Sequence, residues 1–301
     1  VTIPTILALI AAGFILKLSV KQKAVFEFIG ILANDILLSF FVLASLAGKD
    51  LAYLAGLKKV FFYVAAVTLT SLVSSYLYGR RFLTEDRGWR GALMVLAVFP
   101  NTAALGFPMV ALFTHDLTPA VLYSAASSIL AIPLASFLAI NYSRDQGSLK
   151  EALTTTLSFP PVTVSLISLT LVLSGIRLPE KFLSLAESVG WWCLPLMLVY
   201  FGSGFEVKKI EPRKILEAGF FRMVLPLFLV LLTLRTTSEA AFFTILIESS
   251  MPPAIMAVSL LTRHKLKSEE ATGVTLALTL AAIALIFILR ASGAGAILTR
   301  R

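Results

Sequence analysis

Two short stretches gather the residues whose types and spacing could do chemistry. One is Phe99-Pro100-Asn101-Thr102, followed by Gly106 and Pro108. The other is Glu248-Ser249-Ser250-Met251-Pro252-Pro253. Each lies inside an apolar run long enough to cross a bilayer, where an ionisable or hydrogen-bonding side chain is costly and is a functional candidate by default. Proline removes a backbone donor and clashes with the preceding turn, so both runs are predicted to break as helices. At hydrocarbon depth, broken backbone is tolerated where it is buried in protein or lines a wet cavity.

Glu248 precedes Pro252-Pro253 by about one helical turn. A carboxylate beside freed carbonyls and hydroxyls is suited to a hard cation or to a proton. Ser249, Ser250 and the hydroxyls of Ser124, Ser127 and Ser128 are candidates to complete such an oxygen cage, with Met251 at its edge. The alternative reading of Glu248 is structural, paired with Arg222 or protonated as a hydrogen bonder. Asn101 follows the first break directly, and its amide can donate to a substrate carboxylate or offer oxygen to a cation. It can also cap the broken helix. The half-helix starting near Pro108 would present free N–H groups and a positive dipole end, which favours anions. A substrate site is therefore expected around Pro100, Asn101, Thr102, Gly106 and Pro252, with a coupling ion at Glu248, Asn101, Ser127, Ser128 and Met251. Two further intramembrane charges stand apart. Asp35, beside Asn34, reads equally as a proton site or a packing residue. Arg222 reads as a neutralising partner of Glu248 or an attractor of anions.

The elements that must position these residues follow from composition. The 301 residues are 58% hydrophobic and 14% charged, with mean hydropathy +0.90. Soluble domains carry about 25% charged residues, so the chain reads as an all-α polytopic membrane protein. Ten apolar segments are read: Thr2 to Leu18, Val25 to Ala47, Lys59 to Gly79, Gly91 to Phe113, Thr118 to Tyr142, Ala152 to Ser174, Ser188 to Gly204, Ile215 to Leu234, Ala240 to Leu261 and Gly273 to Leu289. The first lacks a basic leader and has a counterpart later in the chain, so it is expected to be a mature helix rather than a signal peptide. A polar link, 143–150, divides the chain into repeats 1–147 and 148–301. Ile3-Pro4 aligns with Phe159-Pro160 and Pro100 with Pro252, an offset near 155 residues that an internal repeat predicts. Five spans per repeat is an odd number, so the repeats should be inverted.

Loop charge sets the expected orientation. Links after odd-numbered segments hold about 16 Lys and Arg, against about 9 after even-numbered segments and in the tail. The positive-inside rule then places odd links in the cytoplasm and both termini outside. The net charge of +9 is spread over these links, which points to topology and anionic lipid rather than nucleic acid. Cys193 is expected as a small core residue, and Phe40-Phe41 and Trp191-Trp192 as lipid-facing or interfacial aromatics. No nucleotide cradle, nucleophile elbow or intramembrane histidine is present, and the two histidines lack ligand spacing, so neither an enzyme nor a metal or other cofactor beyond Na⁺ is expected.

Phe99-Pro100-Asn101-x4-Gly106-x-Pro108 and Met251-Pro252-Pro253-Ala254 resemble the two crossover segments of the auxin efflux carrier (PIN-like) family. Pro160, Pro179 and Pro195…Gly202 fit the same pattern. The resemblance implies ten transmembrane helices with helices 4 and 9 broken and crossed. It also implies a scaffold of helices 1, 2, 6 and 7, a transport domain of helices 3–5 and 8–10, elevator motion, and dimerisation through the scaffold. The chain departs from that pattern at Ile36-Leu37-Leu38-Ser39, where the family often has proline. Glu248-x-x-Met251 is also similar to the sodium-site segment of the bile acid:sodium symporter family, which implies Na⁺ at Glu248, Asn101 and Ser127 or Ser128. Sequence and resemblance together predict a secondary active transporter of a small organic anion in the cell membrane, coupled to Na⁺ or H⁺. The alternatives are a membrane receptor or scaffold, or a passive channel, on the same fold.

Overall fold

The computed structural model describes residues 2–20, 22–143, 149–204, 211–235 and 238–291. The expected repeat boundary at 147–148 lies outside the described residues. In chain order the helices are α1 (Ile3–Ser19), α2 (Ala24–Ala47), α3 (Leu51–Gly56), α4 (Lys58–Phe82), α5 (Arg87–Val98), α6 (Phe107–Val110), α7 (Thr118–Tyr142), α8 (Leu149–Leu157) and α9 (Pro160–Leu173). They continue with α10 (Glu180–Gly190), α11 (Cys193–Ser203), α12 (Pro212–Thr233), α13 (Glu239–Ser249), α14 (Ile255–Arg263) and α15 (Ser268–Ala291). Six helices among the described residues are long and apolar enough to cross a membrane: α2, α4, α7, α12, α15, and α10 with α11 as one stretch, Glu180–Ser203. Apolar α1 and α9 are shorter. Large apolar side chains such as Leu18, Phe62, Leu173 and Ile288 are more than half exposed on the outside of the bundle. On a soluble protein such a girdle would be an aggregation surface; here it is the face presented to lipid. The chain is a helical, multi-pass membrane protein.

Prolines start helices here more often than they interrupt them. Pro4, Pro119, Pro160 and Pro212 each lie in the first two positions of a helix, where the missing N–H has no partner to lose. Pro160-Pro161 thus separates α8 from α9, and the expected segment Ala152 to Ser174 is two helices. The stretch expected from Ser188 begins instead at Glu180, because its first two turns are polar and fall below a hydropathy threshold. It turns at Trp191-Trp192.

Two apolar helices carry π-turns at their charged residues. Leu32–Leu37 widens α2 around Asp35, and Phe220–Val224 widens α12 around Arg222. A third, Thr102–Gly106, leads into α6. The π-turn in α2 re-aims side chains without a broken backbone. α1 lies along α11 with Gly13 against the Val199 backbone and Gly202 against the Ile10 backbone; a methyl at either glycine would collide with main chain. Gly190 meets the Phe41 backbone in the same way. Small residues permit this approach where helices pack without a hydrophobic drive. Phe41 is buried, packing on Phe107 (5.7 Å between centroids) and Trp191 (5.6 Å). It is therefore not the lipid-facing residue expected from sequence. Cys193 is a fully buried free thiol in the core.

Candidate functional site at the helix crossing

The break between α5 and the π-turn at Thr102, and the break between α13 and α14, run antiparallel through one another. Pro100 stands opposite Pro253, with the Asn101 N–H donating to the Pro252 carbonyl and the Ala254 N–H to the Phe99 carbonyl, 2.8 Å each. This is the non-hydrogen-bonded pair of an antiparallel ladder, in which the two facing residues exchange no bonds and their neighbours make them. Two residues lacking an N–H are thus placed where none is needed. Pro100 faces Pro253, one residue beyond the Pro252 that alignment of the halves suggests.

Three further carbonyls at the breaks converge on Arg222. This side chain is fully buried, and its guanidinium donates from Nε to the Met251 carbonyl (3.0 Å), from one terminal nitrogen to Ala97 (3.2 Å) and from the other to Ser249 (2.9 Å). Ala97 and Ser249 end α5 and α13, so the cation stands between two helix C-termini, where dipole and lone pairs both favour it. The breaks were expected to leave their peptide groups for a solute and an ion. Instead the carbonyls of Ala97, Phe99, Ser249, Met251 and Pro252 are taken by the opposite break or by Arg222, because an orphaned buried backbone group costs about as much as a hydrogen bond is worth.

Glu248 does not pair with Arg222. Its side chain is fully buried, and neither carboxylate oxygen has a hydrogen-bond partner. It faces Gly106, where an added methyl would overlap both oxygens, and lies within electrostatic reach of Arg222 and Tyr123. The Tyr123 hydroxyl and Thr244 Oγ1, one turn before Glu248, are also buried and without partners. Ser249 and Ser250 donate their hydroxyl protons back to Leu246 and Ile247 (2.9 and 2.8 Å), so they do not turn toward the carboxylate as donors.

A cavity of about 930 Å³ opens on the other side of the crossing. Asn101 and Thr102 are its buried floor, with Pro100 beside them, and Ser124 and Ser128 of α7 form a wall. Thr102 is tied to Ser124 through their hydroxyls at 2.8 Å. Asn101 is 5% exposed, and its Nδ2 has no partner. The first residues of α14, Ile255 and Met256, also line the cavity. Two half-helix starts with unsatisfied N–H groups and positive dipole ends therefore meet an unpartnered amide donor. Asp35, from the π-turn of α2, lines the opposite wall, its carboxylate without a hydrogen-bond partner among the described residues, and Tyr200 stands beside it. Glu27, Thr154, Ser158 and Arg263 are among the exposed lining residues.

Of the residues singled out from sequence, Pro100, Asn101, Thr102, Ser128 and Asp35 come together around this cavity. Gly106, Ser127, Arg222, Glu248, Met251 and Pro252 do not line it; they lie in or beside the crossing. Sequence reasoning missed Glu217. This buried carboxylate accepts from Trp89 Nε1 (2.6 Å), the Tyr78 hydroxyl (2.7 Å) and Arg213 Nε (2.8 Å), binding α4, α5 and α12 together. The signal was present as an i,i+4 Arg213–Glu217 pair, hidden by its place near the end of an apolar run.

No family model matches the chain. A protein named as an uncharacterised transporter, from Methanocaldococcus jannaschii, is 24% identical over 210 residues, or 64% of this chain. What the chain resembles is a transporter. The match spans 65% of that relative's length, less than two thirds, and its name gives no substrate, coupling or mechanism. The likeness to auxin efflux carriers and bile acid symporters rests on the short motifs alone.

Proposed function

We propose that the protein is a secondary active transporter of a small organic anion, coupled to Na⁺ or H⁺ and working by alternating access. The observation that carries this reading is the floor of the cavity: an unpartnered Asn101 amide donor beside two half-helix N-termini, at the depth of apolar helices. A carboxylate accepts from all three. Glu248, dry and without a donor, is the coupling group.

The wider arrangement is read in the same way. α1 and α9, α2 and the α10–α11 stretch, α4 and α12, α7 and α15, and the two broken pairs match at an offset near 155 residues, as ten helices in two inverted repeats would. Scaffold helices would be α1, α2, α9 and α10–α11, and the rest the moving unit; a homodimer would form through the scaffold. The exposed end of the cavity, at Glu27, Thr154, Ser158 and Arg263, lies at the start of α2, in α8 and at the end of α14, each next in sequence to an odd-numbered link. With those links in the cytoplasm of a cell-membrane protein and both termini outside, the structure is inward-facing.

Thermal-shift screening of the purified protein against a panel of small carboxylates tests the reading, since a ligand that binds the folded state raises its stability by mass action. A carboxylate-specific rise in Tm that is lost in Asn101→Ala is expected. A folded protein that responds to no carboxylate, or an Asn101→Ala variant that responds like the parent, would contradict it.

A further inference from the structure

We infer that Arg222 is a resident cation: its guanidinium occupies the backbone carbonyls of the two breaks that a coupling Na⁺ at the crossing would need. The inference rests on the transporter reading and narrows its coupling ion. A hard monovalent or divalent cation at a broken helix is held by carbonyl and carboxylate oxygens turned inward. Among the backbone carbonyls of the two breaks, those of Ala97, Ser249 and Met251 each accept a guanidinium hydrogen at 2.9 to 3.2 Å. Phe99 and Pro252 carbonyls are already taken by the N–H groups of Ala254 and Asn101. These carbonyls are therefore closed to a sodium ion while Arg222 holds them, and Glu248 would have to bind one without them.

Three features make this a built position rather than an arginine in need of partners. All three nitrogens of the group are used, one carbonyl each, which the planar fork of arginine permits and an ammonium would not match. The acceptors come from both breaks, so one side chain of α12 ties α5 to α13 and to the segment after it. The π-turn at Phe220–Val224 turns that side chain inward from an otherwise apolar helix. Arginine does not lose its proton in proteins, so the positive charge at the crossing is permanent rather than exchanged with solvent. Glu248 then faces a fixed positive charge within the same closed unit, without contacting it.

The test uses sodium alone and needs no substrate. Tm of the purified wild-type protein is measured in NaCl and in choline chloride at matched ionic strength. The two curves are expected to coincide; a saturable, sodium-specific rise in the wild type overturns the inference. In Arg222→Ala the cage is vacated, so a lower Tm is expected, with a rise on adding Na⁺ or low-millimolar guanidinium that choline does not reproduce. A folded Arg222→Ala that responds to neither cation also overturns it. Should that variant fail to fold, the wild-type comparison still decides. Because no transport is read, failure here leaves the transporter reading standing, and a protein that proves not to transport leaves this result interpretable.

Discussion

At the scale of single residues, Gly106 and Glu248 are the pair most sensitive to change. A methyl at Gly106 would overlap both carboxylate oxygens, and the packed crossing offers little room for them to retreat. Gly106→Ala is therefore expected to cost about 1–3 kcal/mol, the usual penalty of overpacking, measurable as a lowered Tm. Glu248→Gln behaves oppositely. The carboxylate has no donor to lose, and an unpaired buried charge is a burden on the folded state. Its replacement by a neutral isostere should leave Tm unchanged or raise it. Concentrative uptake driven by a cation gradient should vanish in the same variant. A Glu248→Gln protein that is strongly destabilised would show that the carboxylate is a structural hydrogen bonder.

At the scale of elements, Tyr53 and Asp116 link α3 to the loop before α7. The Tyr53 hydroxyl donates to Asp116, which also accepts from the Thr118 N–H at 3.1 Å. Burial raises the Asp116 pKa, but the bonds from Tyr53 and Thr118 outweigh it and hold the carboxyl below its ordinary value. A depressed carboxylate stabilises the fold fully above its unfolded pKa of about 3.9, and that stabilisation is lost as pH falls through the folded value. Tyr53→Phe should therefore lower Tm at neutral pH by the equivalent of about 0.5–1 kcal/mol for this half-exposed site. It should also flatten the acid-side fall in Tm between about pH 5 and 2. An unchanged Tm–pH curve would show that the tie carries no stability.

The breaks themselves were legible in the sequence, since Pro100-Asn101 and Pro252-Pro253 interrupt apolar runs where nothing else explains them. Their pairing was not, because the bond between Asn101 and Pro252 joins residues about 150 apart and leaves no local trace. Nor were the π-turns: Leu32–Leu37 contains no proline or glycine to announce it, and Phe220–Val224, though set between Gly219 and Pro226, lies inside a run read as one apolar helix. Each carries a charged residue in an apolar helix. Arg222 was read as the partner of Glu248 because opposite charges in hydrocarbon ordinarily pair, whereas here the carbonyls of two helix ends competed successfully for the guanidinium. The amphipathic start of α10 was hidden because hydropathy reports lipid contact better than helix length.

At the scale of the whole molecule, the cavity is reached from one end. Ser128 lines it, as does Phe107, which packs on Phe41 and through it on Trp191. The native thiol, Cys193, is buried, so it supplies little background labelling. Ser128→Cys in membranes of known sidedness should react with an impermeant thiol reagent from the face carrying the basic links and be protected from the other. Equal labelling from both faces would indicate a continuous pore and a channel. Cargo binding that drives the alternating motion should reduce the difference between faces.

The account turns on the crossing as an anion site that is carried from one face to the other. Its most direct test is counterflow in proteoliposomes, using a labelled carboxylate chosen by the thermal screen. Saturable counterflow is predicted for the wild type, with a loss of about 10- to 100-fold in Asn101→Ala, the worth of one hydrogen bond to a charged group. A correctly folded wild-type protein that binds the carboxylate but supports no counterflow, or whose flux rises without saturation, would contradict it.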